Sequence, residues 1–250
     1  FPRRDKMNNK KKFDNVALIV YSHSDYSDVW PLFFGQSEKF LGDFENKYFL
    51  VDKQVDIPGW QILEYDDSLS YNERVASCLG EVREEFVILH HEDMPLYEKP
   101  EIEVIEKLPS AMKEYGLDFV KFGAINLHTS TKLDEELNLF KIDSAQYLMA
   151  VQPSIWGTSR LFEVYEKSKI KNIQDFEHYA SFVANTIGIN GSFLYNNEPL
   201  RGEFHYDTKV YPYIATAVVA GKWDLLLYKN ELGALLREYD IDPKERGHHG

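Results

Sequence analysis

The 250-residue sequence predicts an α/β fold, with a mainly parallel, Rossmann-like sheet covered by helices on both faces. Three observations predict it. Short continuous apolar runs, of which Val16-Ala17-Leu18-Ile19-Val20-Tyr21 is the first, show no polar alternation and mark strands buried on both sides. Between them lie segments whose apolar residues recur every three or four positions, the helical period. A content of 44% hydrophobic and 14% aromatic residues is enough to build a core and argues against disorder.

Taken in order, residues 1–14 are polar and basic, with Arg3-Arg4-Asp5-Lys6 and Lys10-Lys11-Lys12, and predict a flexible lead-in. The strand at 16–21 ends in the polar turn Ser22-His23-Ser24-Asp25. A helix with an aromatic face follows over Trp30 to Phe40. Lys47 to Val51 is a second strand, ending at Asp52, and Trp60 to Tyr65 a third. Asp67, Ser68 and Ser70 supply caps for a helix over 71–83, with Val75, Leu79 and Val82 on one side. Phe86 to His90 is a fourth strand that opens directly into His91-Glu92-Asp93-Met94. A helix over 101–115 stops at Gly116, and Asp118 to Phe122 is a strand.

The second half reads less cleanly. Residues 128–143, with Thr129-Ser130-Thr131, predict a polar loop. Tyr147 to Gln152 predicts a strand. Helices are expected over Ser159–Lys167, 174–186 and 230–238, and His248 and His249 are expected to be disordered. Without a repeat or low-complexity tract, residues 15–250 read as a single domain.

The formal net charge of −13, from 28 basic and 41 acidic residues, does not suit nucleic-acid binding, which needs clustered Lys and Arg. No run approaches the ~20 apolar residues of a membrane span. No secretory signal is visible, so the expectation is cytoplasmic. The single cysteine, Cys78, lies on a helix and is expected in the core rather than as a nucleophile.

In an open parallel sheet, ligands bind beyond the carboxyl ends of the strands. That rule gathers Ser22, His23, Ser24 and Asp25, then Asp52, then Asp66 and Asp67, then His90 to Asp93, on one rim. Crowded carboxylates repel unless a cation neutralises them, and hard divalent cations prefer oxygen ligands. A metal bridging a diphosphate would reconcile an acidic protein with an anionic substrate. Zinc held by His90 and His91 is the alternative. Adjacent residues on an extended segment point apart, so the four cannot share one ion. One or two carboxylates holding Mg or Mn is the favoured reading. Trp156 offers an apolar ring either to an acceptor sugar or to the core.

The strand-1 turn, the helix carrying Tyr71 to Arg74, and Leu89-His90-His91-Glu92-Asp93-Met94 resemble the GT-A glycosyltransferases. The likeness is to a bacterial and viral subset that carries His-Glu-Asp-Met in place of Asp-x-Asp. Gln152-Pro153-Ser154-Ile155-Trp156, Phe176-Glu177-His178, Asp207-Thr208-Lys209-Val210-Tyr211-Pro212-Tyr213 and Gly221-Lys222-Trp223 resemble it in the same order, over roughly residues 16–247.

This resemblance implies a metal-assisted enzyme, a hexosyl- or deoxyhexosyltransferase, that moves a sugar from a nucleotide-diphosphate donor to a glycan acceptor. It implies Asp93 as the principal metal ligand, Glu92 as a second or facing the donor sugar, and His205 as a late further ligand. Ser22, His23 and Ser24 would hold the base or ribose, with Asp52 near them. Arg74 would touch the donor, or else form an ion pair with Glu73 or a nearby Asp. Glu177, with Asp175 as the alternative, would be the general base of an inverting transfer, although acids also favour a helix N-terminus for its dipole. The competing readings are a nucleotidyltransferase, whose usual Gly-rich basic loop is missing at Ser22–Tyr26, a non-catalytic binding module of the same fold, and a zinc hydrolase.

Overall fold

Nine strands form one sheet among the described residues of the computed structural model, which are 13–124, 130–143, 148–169, 173–203 and 205–250. The basic residues of the predicted lead-in at positions 1–12, together with Thr129, Tyr147 and Phe204, lie outside them. Chain order begins β1 (Val16–Tyr21), α1 (Trp30–Phe40), β2 (Lys47–Val51), β3 (Gln61–Glu64), α2 (Tyr71–Leu79), β4 (Phe86–His91), α3 (Ile102–Tyr115) and β5 (Phe119–Lys121). It continues β6 (Lys132–Asp134), β7 (Leu139–Lys141), β8 (Ser154–Gly157), α4 (Thr158–Lys167), α5 (Ile173–Thr186) and β9 (Gly191–Leu194).

The sheet order is β3-β2-β1-β4-β8-β5-β9-β7-β6. The first four strands pair in parallel, as do β5 and β9. Only β8, between β4 and β5, and β7, beside β9, run against the other seven. The result is a mixed, largely parallel α/β sheet.

The pleat explains how two cores arise from one strand. Val16, Leu18 and Val20 of β1 enter the cluster packed with α1 and α3. Ala17, Ile19 and Tyr21 enter the opposite cluster, with α2, α4 and α5. Successive side chains of a strand point to opposite faces, so an unbroken apolar run is what a doubly covered strand requires. The same alternation sorts β4, sending Phe86 and Ile88 to the first face and Val87 and Leu89 to the second.

Helix termini follow local chemistry. The N–H of Ser70 donates to Glu73 Oε2 at 3.0 Å, which anchors the start of α2. The helix stops at Leu79 rather than at 83, with Gly80 following it. Gly116, at φ 62°, ends α3 in the left-handed region that a side chain would disfavour.

Four expectations change. The described part of the 128–143 loop contains the β6–β7 hairpin, which closes one edge of the sheet; polar strands are tolerated there because an edge is solvated. Residues 148–152 are not a strand. The strand begins after Pro153, which lacks an N–H to donate to a ladder, and runs from Ser154 to Gly157. The strand β9 carries no clear sequence signal, since it has four residues and opens with a glycine. Gly191 is obligatory there, because an added Cβ would lie 2.2 Å from the Phe119 ring. His248 and His249 are ordered.

The remaining elements sit beyond the carboxyl ends of the main sheet or beside α1. They are the pair β10 (Leu200–Arg201) and β11 (His205–Tyr206), then β12 (Val218–Val219) and β13 (Lys222–Asp224), then α6 (Lys229–Glu238), α7 (Pro243–Arg246) and β14 (His248–His249). β13 pairs with both β12 and β14. The N–H of Ala217 donates to the Asp93 carbonyl at 2.7 Å, which ties the start of the β12–β13 hairpin to the tip of β4.

Candidate active site

The ends of β1 and β4, the start of α2 and the strand β12 enclose a cavity of about 440 Å³, lined by Tyr21, His23, Tyr26, Leu69, Tyr71, Arg74, His91, Glu92, Asp93 and Val218. Its position obeys the rule that an open parallel sheet binds ligands at the strand carboxyl ends.

The turn after β1 is held by Asp52. Its carboxylate accepts from the Ser24 N–H at 2.6 Å and from the Ser24 hydroxyl at 2.7 Å. Burial raises the Asp52 pKa, but these two bonds outweigh it and the net shift is downward. His23 Nδ1 accepts the Asp25 N–H at 3.1 Å, leaving Nε2 to face Asp67 at 3.3 Å. Arg74 donates to the Leu69 carbonyl at 2.8 Å, pairs with Asp67 at 2.8 Å and stacks over Tyr65. Of the sequence alternatives, the ion pair with a nearby Asp is formed, and Arg74 also lines the cavity.

Ser22 requires a correction. It is fully buried, its hydroxyl accepts the Trp30 Nε1–H at 2.7 Å, and its carbonyl accepts the Tyr65 hydroxyl at 2.7 Å. A side chain enclosed in this way cannot touch a base or ribose. It supports the turn from behind and lies against Glu92, whose ionised form it favours.

At the tip of β4 the pleat separates the two histidines. His90 turns to the α1 side, with its ring 5.2 Å from Phe33 and 5.6 Å from Tyr211, and donates from Nδ1 to the His91 carbonyl at 2.9 Å. His91 turns to the cavity side, where Nε2 meets the Tyr71 hydroxyl at 3.0 Å. Burial pulls their pKa values down to about 4 and about 3 respectively, so both rings are neutral at pH 7. Because the two rings face opposite sides of the sheet, the pair cannot hold one zinc ion between them.

Glu92 and Asp93 follow in the turn closed by the Met94 N–H to the His91 carbonyl at 3.1 Å. One ligand atom from each of His91, Glu92 and Asp93 lies within 4.8 Å of the other two, the one such group among the described residues. Burial raises both carboxyls: Asp93 is pushed up to about 7, and Glu92 well above the usual range, with the Asp93 charge adding to it. Two adjacent carboxylates, Glu92 buried and Asp93 half-buried, with no full counter-charge form a donor set that fits a hard divalent cation.

A second titratable group lies elsewhere on the sheet. Glu177 on α5 accepts the Val151 N–H through Oε1 at 2.6 Å. Its charge acts on Lys121 at the end of β5 and on His205 of β11. Lys121 is buried, and desolvation pulls it down to about 7. Asp175, the alternative base, is exposed. His205 does not join the His91, Glu92 and Asp93 group, so the expectation of a late metal ligand is corrected; its neighbours are Glu177 and Lys121.

Trp156 is corrected as well. It is 1% exposed, its ring stacks on Phe119 at 4.1 Å between centroids, and its N–H donates to Ser154 Oγ at 3.0 Å. No face remains for an acceptor. Cys78 is in the core as expected, with burial pushing its thiol up to about 12.

Sequence reasoning missed Tyr21, Tyr26, Tyr71, Lys121 and Arg246. Tyr21 and Tyr71 follow the strand and cap patterns and could have been read as rim residues. Arg246 had no local signal. It arrives from α7 to donate to Asp28 Oδ2 at 2.7 Å and to the Asp25 carbonyl at 3.1 Å, and it lies over the Tyr26 ring at 4.9 Å. The turn that lacks a basic residue of its own thus receives one from the far end of the chain.

No family model matches this sequence, and no curated protein matches it. Among solved structures, the chain is similar to residues 1–349 of S. aureus TarS, at 13% identity and a TM-score of 0.49, covering 93% of this chain and 68% of that one. It is similar to the bifunctional IspDF from Campylobacter jejuni at 13% identity and 0.43, covering 74% of this chain and half the length of that one. It is also similar to CMP:2-keto-3-deoxy-manno-octonic acid synthetase complexed with CTP at 11% identity and 0.42, covering 72% and 89%. The chain is, on its own sheet order and strand directions, an α/β protein with a cavity at its parallel strand ends that carries His23, Arg74, His91, Glu92 and Asp93.

Proposed function

We propose that this chain is a metal-assisted glycosyltransferase of the GT-A type, with residues 15–250 as its single catalytic domain. It takes a nucleotide-diphosphate sugar as donor and a carbohydrate as acceptor. The observation that carries the reading is the adjacent Glu92–Asp93 pair on the wall of the 440 Å³ cavity, beside His23 and Arg74.

In this reading Asp93 and Glu92 hold Mn²⁺ or Mg²⁺. Such an ion would supply positive charge to the departing diphosphate. The chain's own groups do the rest. His23 and the Ser24–Asp52 turn hold the nucleoside, between the rings of Tyr21 and Tyr26. The Arg74 guanidinium, fixed by Leu69 and Asp67, faces the diphosphate. Ser22 and Trp30 keep the turn in shape behind Glu92. Glu177 accepts the proton of the acceptor hydroxyl as that oxygen attacks the anomeric carbon, giving inversion. The Val151 N–H holds the Glu177 carboxylate in place. The net charge of −13 does not suit a nucleic-acid substrate, and no helix among the described residues is long and apolar enough to cross a membrane.

The test is thermal shift of the whole chain with UDP and GDP, each with and without Mn²⁺. Stabilisation by one nucleotide that requires Mn²⁺ supports the reading. Stabilisation by Zn²⁺ with no nucleotide effect, or by CTP alone in preference to both diphosphates, overturns it.

A further inference from the structure

The β12–β13 hairpin divides two cavities. Val218 lines the 440 Å³ cavity beside Asp93, whereas its neighbour Val219 lines a second cavity of about 340 Å³. Adjacent strand residues face opposite ways, so one two-residue strand walls both spaces. The Ala217–Asp93 hydrogen bond fixes that wall to the acidic motif. On its far side the second cavity is bounded by Arg201, His205, Leu227 and Tyr228, with Glu203 and Asp224 at its polar edge. Its volume lies in the range of small-ligand sites.

The chemistry of this lining is unusual for a surface depression. Leu227 and Val219 are 45% and 42% exposed, which leaves apolar surface open to solvent inside a polar rim. The one guanidinium is already committed. Arg201 makes a bidentate pair with Asp207 at 2.8 and 3.0 Å, meets Glu231 at 3.0 Å, donates to the Leu227 carbonyl at 3.1 Å, and lies 4.4 Å over the Tyr228 ring. Two carboxylates, Asp207 and Glu231, saturate the one guanidinium, while two more, Glu203 and Asp224, line the same cavity. An anion entering here would meet net negative charge and no free donor fork. A sugar ring presents apolar C–H faces to Leu227 and Val219 and hydroxyl donors to Glu203 and Asp224. An ammonium group would be favoured further.

We propose that this second cavity, walled by Val219 and Leu227 and lined by Glu203 and Asp224, holds a sugar of the acceptor glycan next to the one that reacts, and that it selects an uncharged or amino-bearing sugar over one carrying a carboxylate or phosphate. The inference rests on the glycosyltransferase reading. The cavity shares the β12 wall with the donor cavity, and His205 on its lining feels the Glu177 charge. It also replaces Trp156, which the core encloses.

Saturation-transfer NMR on the whole chain, with UDP and Mg²⁺ present, tests it. The probes are the methyl glycosides of glucose, galactose, N-acetylglucosamine, glucosamine and glucuronic acid. The expected result is transfer to at least one neutral or amino sugar and none to the glucuronide. Leu227→Asp, at an exposed position, should weaken that signal about tenfold by removing the apolar wall. Glu203→Arg, also exposed, should admit the glucuronide. The Mn²⁺-dependent UDP shift should stay unchanged in both variants, since neither residue borders the first cavity. A glucuronide signal equal to that of glucose in the unaltered chain overturns the proposal, as does silence from every sugar or indifference of the signal to Leu227→Asp. If those occur while the UDP shift persists, the acceptor assignment alone falls. If the UDP shift is absent while the sugar signals behave as expected, the cavity stands as a sugar site and the transferase reading falls.

Discussion

The two ends of this cleft are built in different ways. On the β1–β4 side, most polar groups follow buried parallel strands or open α2, and direct hydrogen bonds hold them. Asp52 grips Ser24, and Arg74 reaches back five residues to Leu69. On the β5 side, Lys121, Glu177 and His205 come from a three-residue strand, a helix and a two-residue strand, 28 to 84 residues apart. The first end is fixed by direct hydrogen bonds between the turns that follow adjacent strands. The second exists only through tertiary packing, which lets its charges shift one another. The account therefore expects binding of nucleotide and ion to depend on the first end, and proton transfer on the second.

The largest effect that could break this division is chemical. Glu177→Gln keeps a carbonyl oxygen for the Val151 N–H but cannot take a proton. Transfer should fall by roughly 10²–10⁴-fold, in the range for loss of a general base. The Mn²⁺-dependent nucleotide shift should stay the same. Turnover measured with a radiolabelled donor checks it, and retained turnover places the base elsewhere.

Next in size is the core. Trp156→Ala should cost about 3–5 kcal/mol of unfolding free energy, because it empties the site stacked on Phe119. Trp156→Phe should cost less. Urea denaturation reads both. If the alanine variant keeps full stability, Trp156 is not the core residue described.

A smaller, pH-dependent effect sharpens the contrast at Lys121. Burial pulls its pKa from 10.5 to about 7, so between those values the unfolded chain binds the proton and the folded chain does not. Folding stability from this group therefore rises with pH across that window, and the penalty of burying the ammonium is fully present below pH 7. Lys121→Met should raise stability by roughly 3 kcal/mol at pH 6, with the gain fading by pH 10. Equal gains at both values would mean that Lys121 keeps its charge in the fold.

What was legible in the sequence follows the same boundary. The strands at 16–21 and 47–51 and the helix at 30–40 match because long apolar runs and helical spacing are local signals. The opposite orientation of His90 and His91 follows from strand alternation alone. The hairpin β6–β7 was not readable because its edge strand needs no apolar pattern, and β9 was not because it is short, opens with a glycine and pairs with β5 and β7 far along the chain. Ser22 shows polar chemistry in sequence but is buried, because Trp30 folds back onto its hydroxyl. Lys121 sits in a segment correctly expected as a strand. Only the enclosure of β5 between β8 and β9 makes it a desolvated ammonium. Arg246 meets Asp28 across 218 residues of chain, a distance that no local pattern spans.

The most direct test is Mn²⁺ uptake followed by electron paramagnetic resonance, where bound ion loses the sharp signal of the free aqueous form. With UDP present, the whole chain should take up one Mn²⁺. Asp93→Asn should abolish that uptake, whereas His90→Gln, altering the histidine that faces the α1 side, should leave it intact. Uptake that survives Asp93→Asn, or is lost in His90→Gln while the chain remains folded, would contradict the assignment of the ion to the acidic pair.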